Sequence, residues 1–556
     1  MKQWHYRQQD AAAAKQFAEQ EGIDPICAAL LLQRGLCHRQ AVKQFARPDL
    51  TQLCDPFLLP DMEQAVNRIL LARNRGERVT VYGDYDVDGL TSTVLVSGCL
   101  RSLGIKTDCY IPDRMSEGYG LNPAALEQIR AQGTSLVVTV DLGVTAVEEI
   151  QSVPDLEFVV TDHHQPLEQL PSCAAVVDPK RADCQAPFRE LAGVGVAFKL
   201  VWALQYDRPL PEILQESLDL VALGTIADIV PLYGENRFFA RQGLSYLAKS
   251  RRPGLQALIR KSGYERVDAT AVGFGLAPRI NAAGRMTHGI CALTLLTTHD
   301  PVEAERCAEE LCRLNALRQQ TEREIFEQAD RVMQQEQDRA ALVAAGQGWH
   351  QGVIGIVASK LMYRYQKPVV LLSIEEGMAH GSARSLGGFS VFDALQSCSD
   401  VLVRFGGHAK AGGLTLSEEL IPLFSERFNQ LAEEAGELDA GLTVDLALSP
   451  EQMTLPLAQK LTFFEPFGEG NPRPVFSLAN VRVVECAPTR DGQHLRLKAE
   501  RGEKIFSCIG FGMGELELLP DSRADLAFYL DQNHYGGRTQ LNLLLQDIHP
   551  ISSEGE

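Results

Sequence analysis

Four short runs of apolar, mostly β-branched residues lead into acidic residues, and this pattern constrains the fold more than any other feature of the chain. The runs occupy residues 78–82, 135–140, 156–161 and 174–177, and helix-favouring stretches separate them. Val-rich runs of this kind are typical of parallel strands that are buried on both faces of a sheet. Between about residues 55 and 230 the pattern therefore predicts a doubly wound parallel sheet of the α/β class.

The first run leads into Gly-Asp-Tyr-Asp-Val-Asp-Gly at 83–89, which places three carboxylates close together. Like charges at this spacing repel one another, and burying them is costly unless a cation lies among them. Aspartate oxygens are hard ligands that suit Mg²⁺ or Mn²⁺. An Asp-rich surface turn has a similar composition, since glycine commonly flanks aspartate in turns.

The ends of the other three runs favour the metal site over the surface turn. Asp141 follows the second run, Asp162-His163-His164 follows the third, and Asp178 follows the fourth. In open parallel sheets, ligands bind at the carboxyl ends of the strands. The sequence therefore predicts that these side chains meet at one edge of the sheet and form a metal centre.

These motifs, together with Asp228 in Gly-Thr-Ile-Ala-Asp, resemble the successive motifs of the DHH phosphoesterases. Three later segments, at 278–286, 381–385 and 406–413, resemble the RecJ branch of that family. Members of this branch are 5′→3′ exonucleases specific for single-stranded DNA. The resemblance extends from about residue 50 to the C-terminus, with the motifs in the family's order.

The resemblance implies two-metal hydrolysis of phosphodiester bonds, with two Mg²⁺ or Mn²⁺ ions as cofactors. Carboxylates and one imidazole are the expected ligands: Asp84 and Asp86 for one ion, Asp88, His163 and Asp228 for the other, and Asp141 as the bridge between them. His164 is expected near the scissile phosphate, which it orients or stabilises. Asp162 is expected to orient an imidazole, and Asp178, which precedes a proline, is expected to form a turn.

The later motifs supply donors for substrate phosphates. The residues predicted to contact nucleic acid are Arg279, Asn281, Arg285, Arg384, Ser385, Gly406, Gly407 and His408. Taken singly, the glycines also fit a tight turn and Arg279 also fits a surface ion pair. Taken together in the order of the family's motifs, these residues predict a cleft between two domains, closed over by a glycine-rich loop and Arg384. Such a cleft would admit one strand and exclude a duplex.

Composition limits the other classes of function. The net charge of −19 argues against indiscriminate binding of nucleic acid, so a strand must be held locally in a groove. The 13 cysteines form no Cys-x-x-Cys pair, which favours reduced thiols over disulfides or a zinc site. We expect a cytoplasmic protein with no membrane partner, because the sequence has no long apolar run and no secretory signal.

The organisation along the chain predicts an α/β multidomain protein. A helical flank at 1–50, either a plain cap or a phosphate-contacting segment, precedes a DHH-type catalytic domain at 51–300. A long connecting helix at 301–339 leads to a second, smaller α/β domain for substrate binding at 340–438. Short β-like runs in 439–556 predict an OB-like barrel that holds single-stranded nucleic acid.

The predicted function is a single-stranded-DNA-specific 5′→3′ exonuclease that releases 5′-mononucleotides in DNA recombination and in mismatch or excision repair. The resemblance also implies single-strand-binding protein and a helicase as partners, and we expect a monomer. One alternative is a DHH-family oligoribonuclease or small phosphoesterase, although a barrel has no purpose on a tiny substrate. Another is a non-catalytic scaffold like the replication factor Cdc45, against which the intact acids and the His pair argue.

Overall fold

The computed structural model describes residues 2–8, 10–114, 116–436, 441–535 and 538–551. The predicted domain boundary at 438–439 lies outside these residues. The chain divides into two compact units. The larger unit comprises 48–438 with 468–470, and the smaller unit comprises 1–47, 439–467 and 471–556.

A five-stranded parallel sheet forms the first part of the larger unit. Its strands, in spatial order, are Lys106–Tyr110, Arg78–Gly83, Thr134–Val140, Glu157–Thr161 and Ala175–Val177. The prediction of a doubly wound parallel sheet is confirmed. The edge strand Lys106–Tyr110 was not predicted, because it is only half-buried and so has no continuous apolar run.

Helices cover both faces of this sheet and bury two separate cores. Val79, Val81 and Val138 contribute to the core on one face, whereas Tyr82 and Val137 contribute to the core on the other. The helices of this part are Met62–Arg75, Val87–Ser102, Pro123–Ala131, Val147–Gln151, Gly193–Leu204, Leu210–Ala227, Gly234–Leu247, Pro253–Ser262, Ala277–Met286 and Ile290–Thr297, with short helical turns at Leu50–Gln52, Pro56–Leu58 and Ala271–Leu276. The sheet is therefore buried on both faces, as its Val-rich strands require.

The helix Pro301–Gln335 links this part to a second sheet within the same unit. The second sheet has the strand order Arg404–His408, Ala411–Ser417, Met378–Arg384, Val369–Glu375 and Leu342–Gln347. Its last two strands are parallel and the others are antiparallel. Helices Gln351–Tyr365, Val391–Ser397 and Ile421–Ala435 and short turns Ser399–Val401 and Glu418–Leu420 complete it.

The glycine-rich segment 406–413 is not the loop that the sequence predicted. It forms a β-hairpin in which Gly406 pairs with Gly413 and Gly407 pairs with Gly412. The glycines serve the close approach of the two strands, since a Cβ atom at Gly407 would lie 2.4 Å from the carbonyl oxygen of Ala411. The loop expectation failed because glycine runs usually mark turns, whereas here tight strand packing requires them.

The smaller unit contains the predicted barrel. Its sheet has the strand order Leu446–Ala447, Phe476–Pro488, Leu495–Arg501, Lys504–Gly510, Arg538–Ile551 and Arg523–Tyr535. Strands Phe476–Pro488 and Arg523–Tyr535 also pair with each other, which closes five strands into a barrel. The prediction of an OB-like barrel is confirmed, and a helix Leu455–Leu461 with a short turn Thr462–Phe464 packs beside it.

The first 47 residues share a hydrophobic core with this barrel. Helices Ala11–Glu21, Pro25–Gln33 and Arg39–Ala46 place Phe17 and Phe45 in the same cluster as the barrel strands. The strand Trp4–Tyr6 pairs in parallel with Leu442–Val444. None of the helices in the described part of the chain combines the length and apolar character needed to cross a membrane.

Candidate metal centre and arginine cavity

Acidic side chains gather at the carboxyl edge of the parallel sheet. Asp84 follows the strand Arg78–Gly83, and Asp141 follows the neighbouring strand Thr134–Val140. Asp86 accepts a hydrogen bond from the backbone N–H of Gly89, at 3.0 Å, and so caps the next helix. Because parallel strands end on the same edge, residues distant in sequence become neighbours there.

The ligating atoms form three overlapping groups, and within each group they lie within 4.8 Å of one another. The groups are Asp84–Asp86–Asp141, Asp88–His163–Asp228 and Asp141–His163–His164. The structure therefore brings together all six side chains that the resemblance suggested as metal ligands. The role of each side chain stays a prediction.

The imidazole of His163 faces three carboxylates. Its Nε2 lies 3.1 Å from Asp141 Oδ1, 3.6 Å from Asp228 Oδ2 and 3.9 Å from Asp88 Oδ2. Burial, together with repulsion from His164, lowers the pKa of His163 to about 3, so its imidazole is neutral. Among the described residues, neither His163 Nε2 nor Asp141 Oδ1 has a hydrogen-bond partner. A cation bound between them would satisfy both atoms.

Burial makes it costly for the carboxylates to be charged together. It raises the pKa of Asp84, Asp141 and Asp228, and repulsion from neighbouring aspartates raises each of them further. The same two causes raise the pKa of Asp88 to about 7. Positive charge at this edge would allow all four to ionise, so the donor set fits divalent metal ions.

Backbone groups that sequence reasoning missed hold Asp88 in place. Its Oδ2 accepts a hydrogen bond from Gly193 N at 2.7 Å, and its Oδ1 accepts one from Val194 N at 2.8 Å. Both donors lie at the start of the helix Gly193–Leu204, where backbone N–H groups and the helix dipole favour a negative charge. The small residues of Ala192-Gly-Val-Gly195 were the available signal for this close approach.

Strained backbone and tight packing mark the same site. Asp141 has a φ of 62° and Ile229, which follows Asp228, has a φ of 60°, both in the left-handed region. A residue other than glycine costs free energy in this backbone conformation, and such residues occur preferentially at functional sites. A Cβ atom at Gly193 would lie 2.5 Å from Asp141 Oδ1, so only glycine fits beside this carboxylate.

His164 and Asp162 form a pair at the border of the cluster. His164 Nδ1 lies 2.7 Å from Asp162 Oδ1, and the His164 side chain is 38% exposed. Burial alone would lower the pKa of His164, but the hydrogen bond and the charge of Asp162 outweigh it and raise that pKa. The hydroxyl of Tyr119, another residue that sequence reasoning missed, lies 3.4 Å from His164 Nε2.

Asp178 lies at the same sheet edge but belongs to none of the three metal-ligating groups found among the described residues. It is fully buried, and its Oδ1 accepts a hydrogen bond from the backbone N–H of Lys180 at 2.6 Å. Its position within a short turn after Val177 agrees with the turn that Pro179 led us to expect.

A cavity of about 400 Å³, which we call the arginine cavity, lies within the same larger unit. Arg114, Arg285 and Arg384 line it together with backbone of Gly407 and Gly412, and none of the described residues that line it is acidic. The Arg114 guanidinium lies 5.2 Å from the centre of the Tyr85 ring, inside the Asp-rich motif. The cavity therefore adjoins the metal centre and fits an anion.

The guanidinium of Arg114 repels those of Arg285 and Arg384 inside this cavity. The pKa of Arg285 falls to about 10, first because its partly buried guanidinium loses contact with water and then because Arg114 and Arg318 repel its charge. Burial, followed by repulsion from Arg114, also lowers the pKa of Arg384. A bound phosphate would relieve this repulsion, since each arginine can donate hydrogen bonds to its oxygens.

The predicted nucleic-acid contacts divide into two groups. Arg285, Arg384 and Gly407 line the arginine cavity, whereas five others do not: Arg279, Asn281, Ser385, Gly406 and His408. Asn281 Oδ1 accepts a hydrogen bond from Val87 N at 3.0 Å, so it supports the Asp-rich motif.

The other residues outside the cavity have different surroundings. Arg279 donates to the carbonyl oxygen of Gly275 at 2.6 Å, and the buried hydroxyl of Ser385 donates to Leu386. Gly406 and His408 lie on the edge strand of the second sheet. Sequence reasoning missed Arg114, which lies in an irregular segment with no recognisable motif.

The fold and the acidic edge define a DHH-type protein, and comparison with known proteins agrees. Residues 78–225 match the DHH family N-terminal domain, 338–434 match the DHHA1 domain, and 444–547 match the RecJ OB domain. The single-stranded-DNA-specific exonuclease RecJ of Bacillus subtilis is 39% identical over 98% of this chain and 70% of its own length. The corresponding Escherichia coli protein is 36% identical over 95% of this chain and 96% of its own. The chain belongs to the RecJ family.

Solved structures support the same assignment. The crystal structure of RecJ from Thermus thermophilus in complex with Mn²⁺ is similar with a TM-score of 0.86 and 31% identity, covering 99% of this chain and 80% of that one. The Mg²⁺ complex of the same protein has a TM-score of 0.80 and 31% identity, covering 99% of this chain and 79% of that one.

Proposed function

We propose that this chain is a metal-dependent exonuclease that hydrolyses the phosphodiester bonds of single-stranded DNA. The observation that carries the proposal is His163 facing Asp88, Asp141 and Asp228 at the edge of the parallel sheet, beside a cavity lined by three arginines. The names of its RecJ relatives support single-stranded DNA as the substrate.

Two Mg²⁺ or Mn²⁺ ions are the proposed cofactors, bound by the six side chains assigned above. When bound, such ions lower the pKa of a coordinated water and stabilise charge at the reacting phosphate. His164 is proposed to hold the scissile phosphate, because it is partly exposed and Asp162 fixes its ring. Asp162 is thus a positioning residue.

The arginine cavity is proposed to bind the terminal phosphate of the strand. A terminal phosphate carries more charge than an internal one, and three guanidinium groups can share it. Together with the adjacent metal centre, such binding would select the 5′ end and release 5′-mononucleotides in a 5′→3′ direction. Arg285, Arg384 and Gly407 remain the proposed contacts there, and Arg114 is added to them.

The other predicted contacts are proposed to act farther along the strand. Gly406 and His408 lie on the edge strand of the second sheet, where backbone groups are available. Residues 51–300 are proposed as the catalytic domain, 340–438 as the accessory domain and 439–556 as the strand-binding barrel. Single-strand-binding protein and a helicase are proposed partners of a monomeric cytoplasmic enzyme that acts in DNA recombination and repair.

End-labelled oligonucleotides test this proposal. Single-stranded DNA and RNA of one sequence, labelled separately at each end, and a blunt DNA duplex are incubated with Mg²⁺, Mn²⁺ or EDTA. We expect mononucleotides from the 5′ end of single-stranded DNA with either metal and none in EDTA. Equal degradation of blunt duplex would contradict single-strand specificity. Activity confined to very short RNA would favour an oligoribonuclease, and no activity with either metal would favour a scaffold.

A further inference from the structure

One contact between a histidine and an aspartate beside the arginine cavity belongs neither to the metal centre nor to the cavity lining. His288 Nδ1 lies 2.9 Å from Asp113 Oδ2. Asp113 directly precedes Arg114, and His288 follows Arg285 by three residues. The pair therefore joins the two chain segments that carry two of the three cavity arginines.

These two segments need a connection because their arginines repel each other. Arg114 and Arg285 line the same cavity, and the charge of Arg114 is one of the causes that lower the pKa of Arg285. Before an anion enters, this repulsion favours separation of the two segments. Asp113 supplies a negative charge on one segment, and His288 on the other segment contacts it.

Asp113 also shapes the segment that carries Arg114. Its Oδ1 accepts hydrogen bonds from Ser116 N at 2.9 Å and from Ser116 Oγ at 2.8 Å, which closes a local turn around Arg114. Asp113 thus holds its own segment with Oδ1 and contacts His288 of the other segment with Oδ2. A change at this carboxylate should displace Arg114 more than a change at His288.

The chain beside His288 packs closely against the same segment. A Cβ atom at Gly289 would lie 3.2 Å from Ile111 Cγ2 and 3.9 Å from Tyr85 Cβ. The two segments are therefore in van der Waals contact next to the His288–Asp113 pair. This packing gives the pair a defined geometry, although the His288 side chain is 68% exposed.

We propose that His288 and Asp113 are positioning residues that hold Arg114 and Arg285 at the spacing needed to bind the terminal 5′-phosphate of a DNA strand. The proposal rests on the proposed function, because it assigns the arginine cavity to that phosphate. Neither residue lines the cavity, so their effect passes through the two arginines. A partly exposed contact between polar side chains contributes modestly, so we expect a change of about three- to fivefold.

Binding of two DNA strands that differ only in a 5′-phosphate or a 5′-hydroxyl tests the proposal. Dissociation constants are measured by fluorescence anisotropy in EDTA, where hydrolysis does not interfere. We expect the wild-type protein to prefer the phosphorylated strand. His288→Ala should reduce this preference about three- to fivefold without changing affinity for the hydroxyl strand. His288→Asn should restore most of it, because the amide nitrogen takes the place of Nδ1.

A double-mutant cycle with Asp113→Ala separates the pair from its surroundings. Asp113→Ala should lower the preference more than His288→Ala, and the two changes together should be less than additive. His299→Ala is the matched control, since His299 is an exposed histidine of the same unit outside the pair. It should leave the preference unchanged. With Mn²⁺ present, His288→Ala should raise KM for the phosphorylated strand and leave kcat unchanged.

Three results would overturn the proposal: no phosphate preference in the wild-type protein, an equal effect of His288→Ala on both strands, or additive effects in the cycle. A wild-type protein that binds the phosphorylated strand preferentially but hydrolyses nothing with either metal would contradict the proposed function alone. The binding measurement would still decide the role of the pair.

Discussion

The metal centre and the arginine cavity lie side by side in the larger unit, but the chain builds them in opposite ways. The metal centre collects negative side chains from the ends of adjacent parallel strands, and backbone N–H groups such as Gly193 N hold them. The arginine cavity collects positive side chains from an irregular segment, a helix and the second sheet. The ends of regular strands thus position the proposed metal ligands, whereas contacts between separate segments position the arginines proposed to bind the substrate.

The two regions also differ in what balances their charge. The buried carboxylates of the metal centre have raised pKa values, and the partly buried Arg285 and Arg384 have lowered ones. In both regions, holding like charges close together and away from water costs free energy. A ligand of opposite sign would neutralise that charge. Metal ions and a phosphate group are the complementary ligands.

The largest expected effect is at the carboxylate shared by two ligating groups. Asp141→Ala should reduce hydrolysis of single-stranded DNA by at least about a hundredfold at saturating Mn²⁺, because a bridging carboxylate sets the two-ion geometry. Affinity for the phosphorylated strand should persist, since the arginine cavity is untouched. Nucleotide release and anisotropy measure the two quantities. A variant that retains more than about a tenth of the wild-type rate would show that Asp141 is not the bridge.

The next effect concerns the smaller unit, which contributes to neither region. A chain limited to residues 48–438 should retain hydrolysis of short oligonucleotides, because both regions lie within it. Its affinity for long strands should fall by about tenfold or more, since each base stacked on a barrel contributes roughly 1–3 kcal/mol.

The first 47 residues are omitted together with the barrel, since the two share a core. Anisotropy at matched salt compares short and long strands. Equal affinity of the full and shortened chains for long strands would remove the barrel from the substrate path.

A smaller effect is expected in the arginine cavity. Arg384→Ala should raise KM for single-stranded DNA about tenfold and lower the salt dependence of binding by about one phosphate contact, with kcat nearly unchanged. Arg404→Ala is the matched control, because Arg404 is an exposed arginine of the same sheet that does not line the cavity. Equal changes in KM and in salt dependence for both variants would mean that many surface arginines contribute to strand binding. The arginine cavity would then not be a localised site like the metal centre.

The smallest effect is expected at Asp178, a buried carboxyl at the metal-centre edge that lies outside the ligating groups. Burial raises the pKa of Asp178 from 3.8 to about 7, so the folded state favours its protonated form. The stability that this proton contributes is present at low pH and is lost as the pH rises from about 4 to about 7.

Asp178→Asn removes this dependence and keeps the oxygen that accepts from Lys180 N. The variant should therefore gain about 1 kcal/mol or more over the wild-type protein by pH 8. Denaturant unfolding between pH 4 and pH 8 measures the difference. A difference that does not vary with pH would mean that Asp178 stays charged and has a cation of its own.

The residues that the sequence placed at the carboxyl edge of the parallel sheet share one property, a regular element directly before them, and their roles stay predictions. Val-rich runs predict the strands of the parallel sheet, and an acid that follows such a run lies at the carboxyl edge of that sheet. The hairpin at 406–413 and the edge strand Lys106–Tyr110 lacked such a signal, because one is glycine-rich and the other half-exposed. Arg114 was missed for the same reason, since no pattern marks an irregular segment.

The sequence by itself determined the doubly wound sheet, the β-rich C-terminal segment and the acids at the strand ends, because periodicity and strand direction are local properties of the chain. Only the tertiary structure decided which charged groups meet. It placed Gly193 against Asp141, tied Asp113 to His288, brought Arg114 to Arg285 and Arg384, and used Asn281 to support the Asp-rich motif. These contacts join segments far apart in sequence, and their geometry depends on packing that no local pattern encodes.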